Sequence, residues 1–146
     1  MILDGAELHE SASVILHVPS GRQIPRGGPC DRIDQDAFRC DEDGISVTWV
    51  EFYRGSRDEQ IRQASLAMKG PLLIRRSGVI ARAIVGDIRE VMLSAGALVG
   101  VRRDRLDHNA AHCLIQGIPK DHGGHLLALT RAFRHLIPAD TIPGLV

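Results

Sequence analysis

The sequence predicts a single α+β domain in which a mixed sheet of about five strands is packed by two or three helices. Three observations carry this. Residues 45–53, ISVTWVEFY, concentrate β-branched and aromatic side chains in an alternating run, which favours a strand. Ser56-Arg57-Asp58-Glu59 has the pattern of a capping box and so opens a helix. Strand-like and helix-like segments then interleave without a strict βαβ repeat, which is the α+β pattern. A chain of 146 residues suits one domain with one core.

The elements follow in order. SVILHVP, residues 13–19, reads as a short buried strand ended by Pro19. Residues 20–44 are dominated by Gly, Pro and Asp and lack periodicity. They read as a long loop with a helical turn near 34–38, and a connection of that length in a compact domain is often functional. In the strand at 45–53, Ile45, Val47, Trp49, Glu51 and Tyr53 share one face, and Ser46, Thr48, Val50 and Phe52 the other. The capped helix should run from Arg57 to about Lys69, with Ile61, Ala64, Ser65 and Met68 inward, and stop at Gly70-Pro71. PLLIRRSGVIARAIVG reads as one or two strands around a turn at Ser77-Gly78. Asp87 is placed to cap a helix over 88–95, ended by Gly96. Residues 97–103 and 111–119 read as further strands. HLLALTRAFRHLI, 125–137, reads as a last amphipathic helix with Leu126, Leu129, Phe133, Leu136 and Ile137 on one side. There is no internal repeat, heptad seam or low-complexity segment.

Composition narrows the function classes. Hydrophobic residues at 44% and charged residues at 25% describe a globular chain. Aromatics at 3% require a core of Ile, Leu, Val and Ala. A formal net charge of +0 and a pI of about 7.1 do not indicate a nucleic-acid surface. Lys69 and Lys120 are the only lysines among 18 basic residues. The bias to Arg reflects GC-rich coding or, on the functional reading, recognition of phosphate or carboxylate. Three cysteines cannot pair completely within one chain and form no C-x-x-C unit, which points to free thiols in a reducing cytosol. The N-terminus carries Asp4, Glu7 and Glu10 with no basic region, so it does not read as a signal peptide, and no apolar run reaches membrane-spanning length. The expectation is a soluble, cytoplasmic protein.

The richest chemistry lies in LDHNAAHCLIQGIPKDHGGH, with His108, His112, Cys113, His122 and His125. These residue types bind zinc and move protons near neutral pH. His108, His112, His122 and His125 are the candidate metal ligands. Against zinc, a strand from Ala111 sends His112 and Cys113 to opposite faces, and Gly123-Gly124 makes His122 and His125 a turn pair; the alternative is solvated turn histidines, and no cofactor is required. His17 in VILHVPSGR is a candidate ligand or general base, against a backbone-bonded core-edge histidine. Arg22 and Arg26 follow in a loop with Gly21, Gly27 and Gly28 that suits an anion, although it lacks a P-loop pattern. Asp41-Glu42-Asp43-Gly44 matches a fragment of a calcium loop, but the Gly comes too early and Phe52 holds the position that needs Glu. Cys30, Cys40 and Cys113 each have a histidine somewhere in the chain, but no local sequence pattern places a cysteine and a histidine together as nucleophile and base.

Ser46 and Thr48 on one strand, with His17 on an earlier one, resemble part of the ADP-ribosyltransferase arrangement. That resemblance implies His17 and Ser46 holding a dinucleotide. The late strand lacks the catalytic Glu, and Gln116 is its nearest polar residue. A second resemblance rests on Ala37-Phe38, Ile45-Ser46-Val47, and Asn109, Ala111-His112, Ile115 and Gly117. These are similar to small bacterial proteins with an AF…(L/I)SV…DxNxAHxxIxG pattern, and cover about a quarter of the chain. The resemblance carries no mechanism; it implies that Phe38, Asp107 and His112 belong to one site, and suits an accessory protein encoded beside a larger partner. Three functional readings follow. The first is an interaction module with a protein partner or as a homo-oligomer. The second is a small enzyme on a nucleotide or phosphate-bearing substrate, using His17, Ser46, His112 and loop arginines. The third is a zinc-dependent hydrolase.

Overall fold

The computed structural model describes residues 5–19, 38, 44–69, 74–119 and 123–146. The strands are β1 (Ser13–Val18), β2 (Ile45–Trp49), β3 (Val79–Ile84), β4 (Gly100–Arg103), β5 (His112–Gln116) and β6 (His135–Pro138). The helices are α1 (Arg57–Lys69), α2 (Val85–Ser94) and α3 (Gly123–Thr130). The α+β class stands, but among the described residues the sheet has six strands in the order β4-β5-β2-β1-β3-β6, and every pairing is antiparallel rather than mixed.

The added strand comes from the segment expected to close the chain as one helix. That helix ends at Thr130, whose hydroxyl donates back to the Leu127 carbonyl at 2.6 Å. The amides of Arg131 and Ala132 bond three residues back, tightening the last turn. Leu136 and Ile137 then lie opposite Ala81 and Ile80 as strand residues on alternate faces. Apolar residues at 129, 133, 136 and 137 fit the helical period, and pairing with β3 overrides that local preference from His135 onward.

Other boundaries shift for local reasons. α1 matches its expected range, and the Glu59 amide donates to Ser56 Oγ at 3.3 Å. α2 starts at Val85, so Asp87 lies in its first turn and is not its cap. Its first amides are met by main-chain oxygens instead: Val85 bonds to Ala12 and Gly86 to Glu10, both at 2.8 Å. Gly96 ends α2 with φ of 85°, and the amides of Gly96 and Ala97 bond to the Leu93 and Met92 carbonyls in a Schellman pattern. The run at 45–53 leaves the ladder after Trp49 and turns through a 3₁₀ segment, Val50–Phe52.

The sheet separates two cores. On one face Val14, Leu16, Ile45, Val47 and Ile115 pack against Ile88 and Met92 of α2 and Leu126 and Leu129 of α3. Phe38 and Phe133 meet there with ring centroids 5.4 Å apart. On the other face Ile15 and Ile80 pack against Ile61, Ala64 and Met68 of α1, closed by Ile142 and Leu145. The edge at β4 is covered by residues 5–8: the Gly5 amide bonds to the Arg103 carbonyl, the Leu8 amide to Val101, and the Arg103 amide to Ala6. This removes an open template for strand addition.

Candidate functional site

Strand parity fixes which side chains share a face. Thr48 lies opposite His112, Ser46 opposite Leu114, Thr48 also opposite Ile15, and His17 opposite Ile80. His17, Ser46 and His112 therefore stand on one face of three adjacent strands, the face that α1 covers in part. Cys113 points to the opposite side, as alternation requires.

His112 is the best-defined group on this face. Its ring is buried, with Nδ1 2.8 Å from the Asp104 carbonyl and 3.1 Å from the Asp104 carboxylate. Both partners only accept, so the ring donates Nδ1–H, and the neutral imidazole keeps its lone pair on Nε2. Among the described residues Nε2 makes no hydrogen bond. The loop between β4 and β5 holds this geometry. Leu106 and Asn109 exchange main-chain bonds at 3.1 Å, and the Asp104 amide donates to the His112 carbonyl at 2.9 Å. Asn109 Nδ2 donates to Thr48 Oγ1 at 2.9 Å, while its Oδ1 accepts the Ala111 amide at 3.2 Å. An oriented imidazole thus sits across from a fixed, buried hydroxyl, an arrangement capable of proton transfer.

The other sequence candidates disperse. Ser46 is exposed. His17 is half-buried, its Nε2 has no hydrogen-bond partner among the described residues, and burial lowers its pKa, which favours the neutral ring. A Cβ on Gly78 would stand 3.1 Å from the Arg75 carbonyl oxygen and 3.3 Å from that Nε2, a tight approach that glycine relieves. Gln116 lies half-buried at the far end of β5. Arg22, Arg26, His122, Cys30, Cys40, Asp41, Glu42 and Asp43 fall outside the described residues. Of the expected metal ligands, His108 is exposed in the turn before β5, His112 faces the α1 side, and His125 belongs to α3 on the other side of the sheet. These three do not meet, and among the described residues no group of three or more His, Cys, Asp or Glu is placed to hold a metal ion.

Two features escaped the sequence. One is a polar knot around Ser13, which is fully buried. Glu51 accepts the Ser13 amide at 2.5 Å and the Ser13 hydroxyl at 2.6 Å, and pairs with Arg57. Arg82 Nε donates to Ser13 Oγ at 3.0 Å. Burial alone would raise the Glu51 pKa, but the Ser13 bonds and Arg57 outweigh it and the net shift is downward. Burial, and then Arg57, lower the Arg82 pKa, with Glu51 opposing. The only sequence signal was a Glu in an apolar-patterned strand. The other is a groove of about 720 Å³ where the end of α2 meets β4, lined by Arg89, Glu90, Leu93, Leu98, Arg102 and Gln116 among others. Leu93 is 64% and Leu98 85% exposed there. Glu7 and Arg89 are paired at 2.9 Å.

Comparison with protein-family models, curated proteins and solved structures finds no match for this chain. Among the described residues no helix is long and apolar enough to cross a membrane.

Proposed function

We propose that the chain is a small interaction module that works through its own copies, docked at the groove between α2 and β4. The observation that supports this is the pair of exposed leucines, Leu93 and Leu98, beside a groove whose lining carries charges of both signs, Glu90 and Arg102. Adjacent exposed apolar side chains rimmed by charge mark association surfaces. A second copy fits because a two-fold contact can set Leu93 and Leu98 against their counterparts while Glu90 faces Arg102 across the axis. A chain with formal net charge +0 also raises no long-range repulsion between copies. Sedimentation velocity over a concentration series tests this. The wild-type protein should dimerise reversibly, and Leu98→Asp should remain monomeric with an unchanged melting temperature. A wild-type protein that stays monomeric throughout the series refutes it.

A second reading rests on a different observation, the Asp104-held imidazole of His112 with Nε2 unengaged beside Thr48. On this reading the α1-side face performs proton transfer on a nucleotide or phosphate-bearing substrate, with His112 as the base and Asp104 as its orienting partner. Turnover of a nucleotide panel that disappears in both His112→Ala and Asp104→Ala supports it. Turnover that survives His112→Ala overturns it.

A further inference from the structure

Arg103, the last residue of β4, is 8% exposed. Its main chain is fixed on both sides: the amide bonds to Ala6, the carbonyl accepts from Gly5, and the residue pairs with Cys113 in the ladder. Its guanidinium carbon stands 5.2 Å from the Trp49 ring centroid and 5.2 Å from that of Phe52. The two rings are 5.9 Å apart and tilted by 59°. The three centres form a nearly equilateral triangle, so the guanidinium lies in the mouth of an open aromatic V. Ring faces attract the cation, but they accept none of its N–H bonds in the ordinary sense.

Those N–H groups are the unusual feature. Arg103 Nε and Nη1 are buried and, among the described residues, have no hydrogen-bond partner, and the same is true of Trp49 Nε1 on the adjoining ring. Among the described residues no carboxylate pairs with Arg103. Buried donors of this kind are ordinarily matched, and a guanidinium withdrawn from water most of all. Three donors on two adjoining side chains, unmatched among the described residues, form a site complementary to an oxyanion. A guanidinium offers paired N–H groups that suit carboxylate or phosphate oxygens, and an indole N–H supplies a further bond. Phe52, 39% exposed at the end of its 3₁₀ turn, is the member of the group placed to swing aside and admit one.

We propose that Arg103 and Trp49, with Phe52 as a movable cover, form a binding site for an oxyanion group. The site is independent of the α2–β4 groove and of His112. Trp49 is the only tryptophan of the chain, so its emission reports from inside the site. Wild-type protein is titrated with inorganic phosphate and, separately, with acetate, against chloride at equal ionic strength. The expected result is a saturable change in emission with one or both oxyanions, accompanied by a rise in melting temperature along the same curve. The two arms distinguish a phosphate from a carboxylate ligand. Arg103→Met should abolish both responses; it replaces an unpaired buried cation by an apolar chain and should fold. Phe52→Ala should keep a saturable response and shift its midpoint to lower concentration, which tests the site without touching Arg103. Emission and melting temperature that follow ionic strength alone overturn the proposal, as does a saturable response that persists in Arg103→Met.

Discussion

The side of the sheet under α2 and α3 is apolar at nearly every strand position that points to it, and Arg103 is the charged exception. On the side under α1, polar and apolar positions alternate: Ser13 with Ile15, Thr48 beside Ile15, Arg82 with Ile80, and His112 with Leu114. The difference teaches where stability and chemistry reside. The first side gains from area removed from water, which is non-directional and forgiving of exact placement. The second must satisfy each polar group by a named partner, and so fixes directions as well as contacts. Substitutions on the two sides should therefore differ in kind, not only in size.

The largest effect is expected on the apolar side. Phe133 is fully buried against Phe38, and Phe133→Ala removes a ring the surroundings cannot refill. Urea unfolding should show a loss of about 3–5 kcal/mol. A loss below ~1 kcal/mol would mean that this side repacks freely, and the contrast between the faces would collapse.

On the polar side, Ser13→Ala removes one small hydroxyl yet leaves the Glu51 carboxylate and Arg82 Nε each short of a partner. The expected loss is about 1–3 kcal/mol, set by unmet hydrogen bonding and not by volume. The same knot gives a pH signature. The folded pKa of Glu51 lies below its ordinary 4.5, so the stability it contributes is fully present above that value and is lost as pH falls through the folded pKa. Glu51→Gln should flatten the acid limb of the stability profile. An unchanged acid limb would show that the ion pair with Arg57 and the Ser13 bonds do not hold in solution.

A smaller, purely local effect is expected at His112. Nitrogen-15 spectra of the neutral ring should show the proton on Nδ1, because both atoms of Asp104 near it are acceptors. Asp104→Ala removes the carboxylate but keeps the main-chain carbonyl, so the tautomer preference should weaken without reversing. A ring protonated on Nε2 in the wild-type protein would remove the basis for reading His112 as an oriented base.

Much of the scaffold was legible because its signals are local. The alternation of Ile45 to Trp49, the Ser56 cap and the Gly96 terminator each act within a few residues. What failed was decided at a distance. Leu136 and Ile137 became strand residues because β3 offers a free edge, and α2 began early because main-chain oxygens at Glu10 and Ala12 await its first amides. For the site, sequence placed His17, Ser46 and His112 among the candidates, and the strand order then put them on one face. It did not reveal Asp104, whose contact with His112 exists only because the two flank the turn that joins β4 to β5. Nor did it reveal Ser13 with Glu51, which are 38 residues apart. The histidine cluster was the strongest compositional signal, yet closeness in sequence across a sheet strand sends neighbours to opposite sides.

His17 provides the finest test of the contrast, because its Nε2 is buried and, among the described residues, has no partner. Burial favours its neutral form, so its folded pKa lies below the ordinary 6.5. Between those two values the unfolded chain binds a proton that the folded chain refuses. Stability is therefore full above 6.5 and declines as pH falls from there to the folded pKa, the direction opposite to that of a histidine paired with a carboxylate. His17→Leu deletes the titrating group, and its unfolding midpoint should change less than the wild-type midpoint on crossing pH 6.5 from above. If the two profiles run parallel, the ring is solvated in solution and Nε2 is not an unmet donor or acceptor. If the wild-type protein instead gains stability on acidification, an acceptor meets Nε2, and His17 joins His112 as a histidine with a dedicated partner on the same face.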